Sequence, residues 1–356
     1  MKLRAIAVAT LVCLFANFAA FAAQPNNRGK RGKTRKAVPV RVSRLMPLLP
    51  ASDGVVLFDS KKFLTDGLPR VLAAKQDVLA KITESLNDVQ SKTGIDLRQF
   101  EEVAVGVNLR KNAAGKLDVQ PVAIASGDIN AAALLAVAKL ASNGTYKEET
   151  IAGRTVYVFA VKDAANKAST QVVTGKVAGA VDKIVNGITT HVAVAAYDKN
   201  SLVLGSLERV RETLEGRTHP GVDITSLLMR SPAATVNFAL KTPTGLDTFF
   251  KLGNDEFGRN LRSIQYVAGS MDVNAAGASL NVAAKTLERA QADQLKSTLD
   301  GLQMLGGAMF GNAKSADKQV YGRMIKNAKI TQTGSEVTLD VQVPQADIDT
   351  LVSGIK

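Results

Sequence analysis

The chain has 356 residues, 46% of them apolar, 22% charged and only 5% aromatic, with no tryptophan and one cysteine. That balance excludes disordered, collagenous and disulfide-stapled chains and calls for a globular body whose core is built from small and branched aliphatic side chains. The formal net charge of +13 is unevenly placed: eight charges fall between Gln24 and Arg44 and two in the first four residues, which leaves three for everything after them.

Met1-Lys2-Leu3-Arg4 is a short cationic start, followed by an apolar run from Ala5 to Phe21 that closes on Ala20-Phe21-Ala22. A basic start, an apolar stretch and a small-x-small end read as a cleavable export signal over residues 1–22, with a periplasmic or extracellular destination. The alternative is an uncleaved N-terminal anchor. A 17-residue run lies at the low end of a membrane span, and a basic block just beyond it opposes the usual retention of positive residues on the cytoplasmic side. Cleavage would remove Cys13, the only thiol, and with it disulfides, thiolate metal sites and cysteine nucleophiles.

Residues 23–45 read as a disordered basic arm. Arg28, Lys30, Arg31, Lys33, Arg35, Lys36, Arg41 and Arg44 are interleaved with Asn, Gly and Pro, without an acid, the pattern of a solvated extension rather than a folded face. These eight are candidate polyanion-binding residues. Their expected partner is an anionic envelope surface, lipid head groups or acidic polysaccharide, at about 1 kcal/mol per basic residue close to an anionic membrane, weakened by salt. A plain spacer is the alternative. Nucleic acid is disfavoured, because no aromatic lies in the segment to stack on bases.

In the body, Val55-Val56-Leu57-Phe58 is a short apolar run suited to a buried strand. Helices are expected over Lys61–Leu68 and Pro69–Lys92, the latter ending at Gly94. Val103–Val107 and Val119–Ala125 read as a hairpin around Asn112-Ala113-Ala114-Gly115, and Ala131–Ala141 as a helix. Tyr146–Ile151 pairs with Thr155–Val161, His191–Tyr197 with Ser201–Leu204, and Leu207–Leu214 is a helix closing on Gly216. Ala164–Ile188 has a helical apolar stripe weakened by Gly175, Gly179 and Gly187, and reads as a packed insertion or a flap.

The order then recurs: a strand at Thr235–Leu240, a helix over Leu246–Phe257, and a hairpin of Ile264–Val273 with Ala278–Ala284 around Asn274-Ala275-Ala276-Gly277. A long helix over Leu287–Met304 follows, then a hairpin of Ala328–Thr331 with Glu336–Val343 and a helix over Gln345–Val352. Gly306–Gly311 reads as a glycine-softened helix end with exposed apolar character. Hairpins dominate, so the fold class is α+β: two related repeats of antiparallel hairpins with packed helices, over 46–220, with an insertion near 152–190, and 221–356.

Little catalytic chemistry is visible. There are two histidines, His191 and His219, with no partner at ligand spacing, and no phosphate-loop, dinucleotide, nucleophile-elbow or zinc-protease motif. Glu101-Glu102, Glu148-Glu149 and Asp255-Glu256 are adjacent acids, which on a strand point to opposite faces and cannot share a proton. No cofactor and no metal are expected.

The segments Leu48-Leu49-Pro50-Ala51-Ser52-Asp53, Val55–Asp59 and Thr93-Gly94-Ile95-Asp96-Leu97, followed by Val103–Val107, resemble a group of uncharacterised exported bacterial proteins over residues 45–215. The resemblance implies a bacterial envelope setting and supplies no activity. The expectation is a non-enzymatic binding or structural module with an unidentified protein partner. The rival is an enzyme whose polar residues converge only in three dimensions, at the seam between the repeats.

Overall fold

The computed structural model describes residues 43–111, 117–142, 144–160, 191–242, 256–311 and 313–354. The expected leader, the basic arm up to Arg41, the Asn112–Gly115 turn, the Ala164–Ile188 segment and the Leu246–Asp255 part of a helix lie outside them. The strands are β1 (Gly54–Asp59), β2 (Phe100–Lys111), β3 (Leu117–Gly127), β4 (Tyr146–Ile151), β5 (Arg154–Ala160), β6 (His191–Asp198), β7 (Ser201–Gly205), β8 (Val236–Lys241), β9 (Ile264–Asn274), β10 (Gly277–Thr286), β11 (Lys329–Thr333) and β12 (Glu336–Pro344). The helices are α1 (Ser60–Lys62), α2 (Leu68–Val71), α3 (Gln76–Thr93), α4 (Ala131–Ala141), α5 (Leu207–Glu215), α6 (Val222–Leu228), α7 (Glu256–Arg262), α8 (Arg289–Gly311), α9 (Ala316–Asn327) and α10 (Gln345–Ser353). Hairpins with helices apart from them make the class α+β.

Among the described residues the chain divides into two compact units, 43–61 with 83–222, and 62–82 with 223–354. The first carries strands in the order β1-β2-β3-β7-β6-β5-β4, every neighbouring pair antiparallel. β7 is buried at each of its residues, which is why Ser-Leu-Val-Leu-Gly reads as a continuous apolar run rather than an alternation. Gly205 is required there: a Cβ would stand 2.5 Å from the Pro121 carbonyl oxygen. α5 is capped at both ends, by the Ser206 hydroxyl, which accepts from the Arg209 N–H, and by Gly216 in the left-handed region at φ 62°.

In the second unit the order is β11-β12-β10-β9-β8, again antiparallel throughout. The β9–β10 turn is the expected Asn-Ala-Ala-Gly, with the Asn274 side chain accepting from the Ala276 N–H at 2.8 Å and Gly277 at φ 127°. One apolar cluster gathers Leu72, Ile348 and Val352, and another Ala292, Leu295 and Val337.

Three expectations differ from the structure. The single helix over Pro69–Lys92 is instead α2 and α3, separated by a turn at Leu72–Lys75; Leu68 and Val71 before the turn and Val78, Leu79 and Ile82 after it all pack on the Leu72 cluster. Lys61–Leu68 is not one regular helix, because a wide π-type turn over Phe63–Gly67 joins α1 to α2. The long helix runs through Gly306 and Gly307 to Gly311, past the expected end at Met304.

Candidate functional site

The second unit carries an apolar helix end and two cavities, all formed by α8, α9 and the strands beside them. In α8 the residues that pack inward are Ala292, Leu295, Leu299, Gln303, Gly306 and Phe310, spaced by three and four as one helical face requires. Beside that face runs a second apolar stripe, Leu302, Leu305 and Met309: these residues are 46%, 59% and 76% exposed, and neighbouring Met304 is 73% exposed. From Gly301 to Gly311 the helix has no charged residue. Large apolar side chains exposed together at one helix end, rather than scattered, mark a contact surface.

α9 crosses α8 closely because glycines face the contact. A Cβ on Gly306 would lie 3.1 Å from Ile325 Cδ1, and one on Gly322 3.1 Å from the Phe310 carbonyl oxygen. The Gln303 amide fixes the crossing by donating to the carbonyl oxygens of Ile325 at 2.8 Å and Ala328 at 2.6 Å, and the Phe310 and Tyr321 rings meet edge to face at 6.3 Å. An apolar cavity of about 390 Å³ lies under this crossing, walled by Leu299, Leu302, Phe310, Tyr321, Met324, Ile325, Ala328, Ile330, Leu339 and Val341, with Gln303 as the polar member. A second cavity of about 750 Å³, as open to solvent as the first, shares Gln303 and Phe310 with it and is lined on its polar side by Asp300, Gln319, Arg323 and Lys326.

The charges around these cavities are unequal in availability. Asp300 is paired with Lys296 at 2.6 Å. Asp347 holds the Arg323 guanidinium through Nη2 at 2.5 Å and Nε at 3.1 Å, and that hydrogen bond keeps Arg323 above its ordinary pKa. Lys326 is exposed in the last turn of α9, with no ion-pair partner among the described residues. Lys318 within α9, and Lys314 and Lys329 on either side of it, are exposed, with Asp317 the one acid among them. The Ser315 hydroxyl holds the Asp317 carboxyl below its usual range.

The sequence-predicted basic residues are not brought to this site. Arg28, Lys30, Arg31, Lys33, Arg35, Lys36 and Arg41 lie outside the described residues, and Arg44 is an exposed residue of the first unit. Just after it the chain is pinned: Leu45 is buried, Leu49 is fully buried, and Ser43 Oγ accepts from the N–H groups of Leu45 and Met46. The adjacent acids are taken up singly: Glu101 pairs with Lys61, Glu148 with Lys139 and Glu149 with Arg211. His191 opens β6 and His219 is exposed in the turn after α5. Among the described residues no group of three His, Cys, Asp or Glu could hold a metal ion, and no helix is long and apolar enough to cross a membrane.

One buried charge escaped the sequence reading. Arg209 in α5 is fully buried; its guanidinium donates to a Glu212 carboxylate oxygen and, at 2.8 Å, to Ser52 Oγ, while Nε has no hydrogen-bond partner among the described residues. Burial lowers its pKa and the Glu212 carboxylate opposes that shift. It clamps the Pro50–Asp53 loop onto α5, with Arg110 joining Glu208 and Glu212 outside, and it faces neither cavity.

No family model matches the sequence, and no curated protein matches it. Among solved structures the chain is similar to TP0453 in its crystal forms III and I, at 12% identity and a TM-score of 0.40 in each case. The alignments cover 88% of this chain and 99% and 97% of the other. A likeness of that degree carries no argument about ligand or activity.

Proposed function

We propose that the chain is an exported, non-enzymatic binding module of the bacterial envelope, built from two related α+β repeats, which holds an anionic amphiphilic surface through the basic segment 24–44 and the apolar end of α8. The observation that carries this reading is the stripe of Leu302, Leu305 and Met309, 46% to 76% exposed on a stretch without charge and set beside the cations of α9. Apolar area alone or basic residues alone give marginal, reversible membrane binding, whereas the two together suffice for stable attachment. Eight arm cations at about 1 kcal/mol each near an anionic surface supply the salt-sensitive part, and the helix end supplies a part that salt does not screen. The repeat reading is supported by matching meanders: β1 pairs with β2 and β2 with β3 in the first unit, as β8 pairs with β9 and β9 with β10 in the second.

Flotation with vesicles tests the proposal, in parallel with pull-down on acidic polysaccharide and on DNA. The full chain should float with anionic vesicles and not with zwitterionic ones, and deletion of Gln24–Arg44 should remove the salt-sensitive part. Undiminished, equally salt-sensitive binding after that deletion would refute the arm's role, and preference for DNA over vesicles would refute the surface.

A further inference from the structure

We infer that the α8–α9 crossing is a binding site for one single-chain anionic amphiphile, with the aliphatic chain in the 390 Å³ cavity and the acidic head in the adjoining cavity at Lys326. The apolar cavity has the size of a small-ligand site, within the usual range of about 300 to 1,000 Å³. At about 30 Å³ for each water-sized group it holds roughly a dozen heavy atoms. Its walls decide the chemistry. Leu299, Leu302, Met324, Ile325 and Ile330 are flexible aliphatic side chains, and Phe310 and Tyr321 are engaged edge to face with each other rather than forming parallel plates for a ring. Of the two polar lining side chains, Gln303 has its amide hydrogens committed to the Ile325 and Ala328 carbonyls, and Tyr321 offers only its ring-edge hydroxyl. The lining is otherwise aliphatic and aromatic, which matches an alkyl chain.

The head site follows from the neighbouring cavity, which shares Gln303 and Phe310 with the apolar one and so adjoins it. Two cations line it, Arg323 and Lys326, and they are not equivalent. Arg323 is already held by Asp347, whereas Lys326 is free to meet a carboxylate or a phosphate. Both heads share that chemistry, a fatty carboxylate from the free acid or a phosphate from a lysolipid. This inference does not depend on the envelope reading: deletion of residues 24–44 should leave it unchanged, so that vesicle binding and amphiphile binding fail separately.

Calorimetric titration of the full chain with octanoate, decanoate, laurate and myristate, below their micellar concentrations, tests it, alongside dodecyl phosphate and dodecyltrimethylammonium. Each added methylene should tighten binding about fourfold, the ratio equivalent to 0.8 kcal/mol per buried CH₂, and the gain should stop beyond laurate as the cavity fills. Ala328→Phe, which fills the cavity, should abolish binding with the far-UV spectrum retained. Exposed Lys326→Glu should weaken laurate about three- to fivefold, in the range of a solvent-accessible ion pair. Equal heats for laurate and dodecyl phosphate would support the shared head chemistry, and a preference for one would name the source. Binding of dodecyltrimethylammonium as tight as laurate would overturn the head site. A flat chain-length series, or unchanged laurate binding in a folded Ala328→Phe protein, would overturn the cavity.

Discussion

Removing Glu212 should damage the first unit more than removing the arginine it neutralises. Arg209 is completely buried and its Nε has no hydrogen-bond partner among the described residues, so its charge depends on Glu212, with Ser52 contributing only a neutral oxygen. Glu212 keeps 29% of its side chain exposed and has Arg110 at 3.7 Å, so it can be solvated without Arg209. Truncating one member of a buried pair costs about 3 to 5 kcal/mol when the other charge is stranded. The partial exposure of Glu212 favours the low end, so Glu212→Ala should cost about 3 kcal/mol, whereas Arg209→Met, which replaces the charge with an apolar side chain of similar reach, should cost about 1 kcal/mol or less. Amide exchange read by mass spectrometry on peptides covering Leu45–Asp53 and Leu207–Glu215 measures this locally. At about 1.4 kcal/mol per decade, Glu212→Ala should speed exchange there roughly a hundredfold. The double variant should exchange more slowly than Glu212→Ala alone, because the stranded charge has gone. Equal costs for the two single variants, or costs that add in the double, would show that Glu212 does not neutralise a stranded Arg209 charge.

Other outcomes follow from the same geometry. Gly307→Ala should raise the melting temperature, because nothing lies within 4 Å of the added Cβ and alanine is better than glycine in a helix by about 0.5 to 1 kcal/mol. Gly306→Ala should gain nothing, since its Cβ would press on Ile325 at 3.1 Å; calorimetric melts of the two proteins compare them directly. Gly269→Ala should be destabilising by about 3 kcal/mol in urea titration, the upper end of overpacking, because its Cβ would fall 2.1 Å from the Asn281 carbonyl oxygen. Tyr266 donates to Asp223 at 2.6 Å, which lowers the Asp223 pKa from 3.8 and raises that of Tyr266 from 10.0. The Asp223 contribution is therefore complete above 3.8 and lost as pH falls through its lower folded value, while that of Tyr266 is complete below 10.0 and lost as pH rises through its higher one. An NMR titration should put Asp223 below 3.8 and move it upward in Tyr266→Phe.

What the sequence made legible was whatever local chemistry decides. Gly94 and Gly216 sit in the left-handed region as helix stops, Asn130 and Ser206 cap α4 and α5, and the β4–β5, β9–β10 and β11–β12 hairpins turn at Gly153, Gly277 and Gly334. What stayed hidden depends on neighbours distant in sequence. Ala73-Ala74-Lys75 are good helix formers, and the turn there comes from both arms packing on the Leu72–Ile348–Val352 cluster. α9 has a mid-helix glycine and a polar composition, with Val320 its one buried residue, so periodicity does not announce it. Without α9 the cavities cannot be foreseen, although the uncharged, glycine-rich end of α8 already signalled apolar exposure. Arg209 shares the inward face of α5 with Thr213, a spacing that hints at burial, but its partner Ser52 is far away in the chain.

Depth-dependent quenching reads whether the end of α8 enters a lipid surface. A bimane label on Leu305→Cys, in a Cys13→Ser background, is compared with one on Leu287→Cys. Leu287, just before α8, is also apolar and exposed, and the helix between Arg289 and Leu305 alone spans roughly 24 Å at 1.5 Å per residue. With anionic vesicles containing brominated acyl chains, the label at 305 should be strongly quenched and the label at 287 should not. Equal quenching at both positions, or none at 305 while the protein floats with the vesicles, would contradict the account.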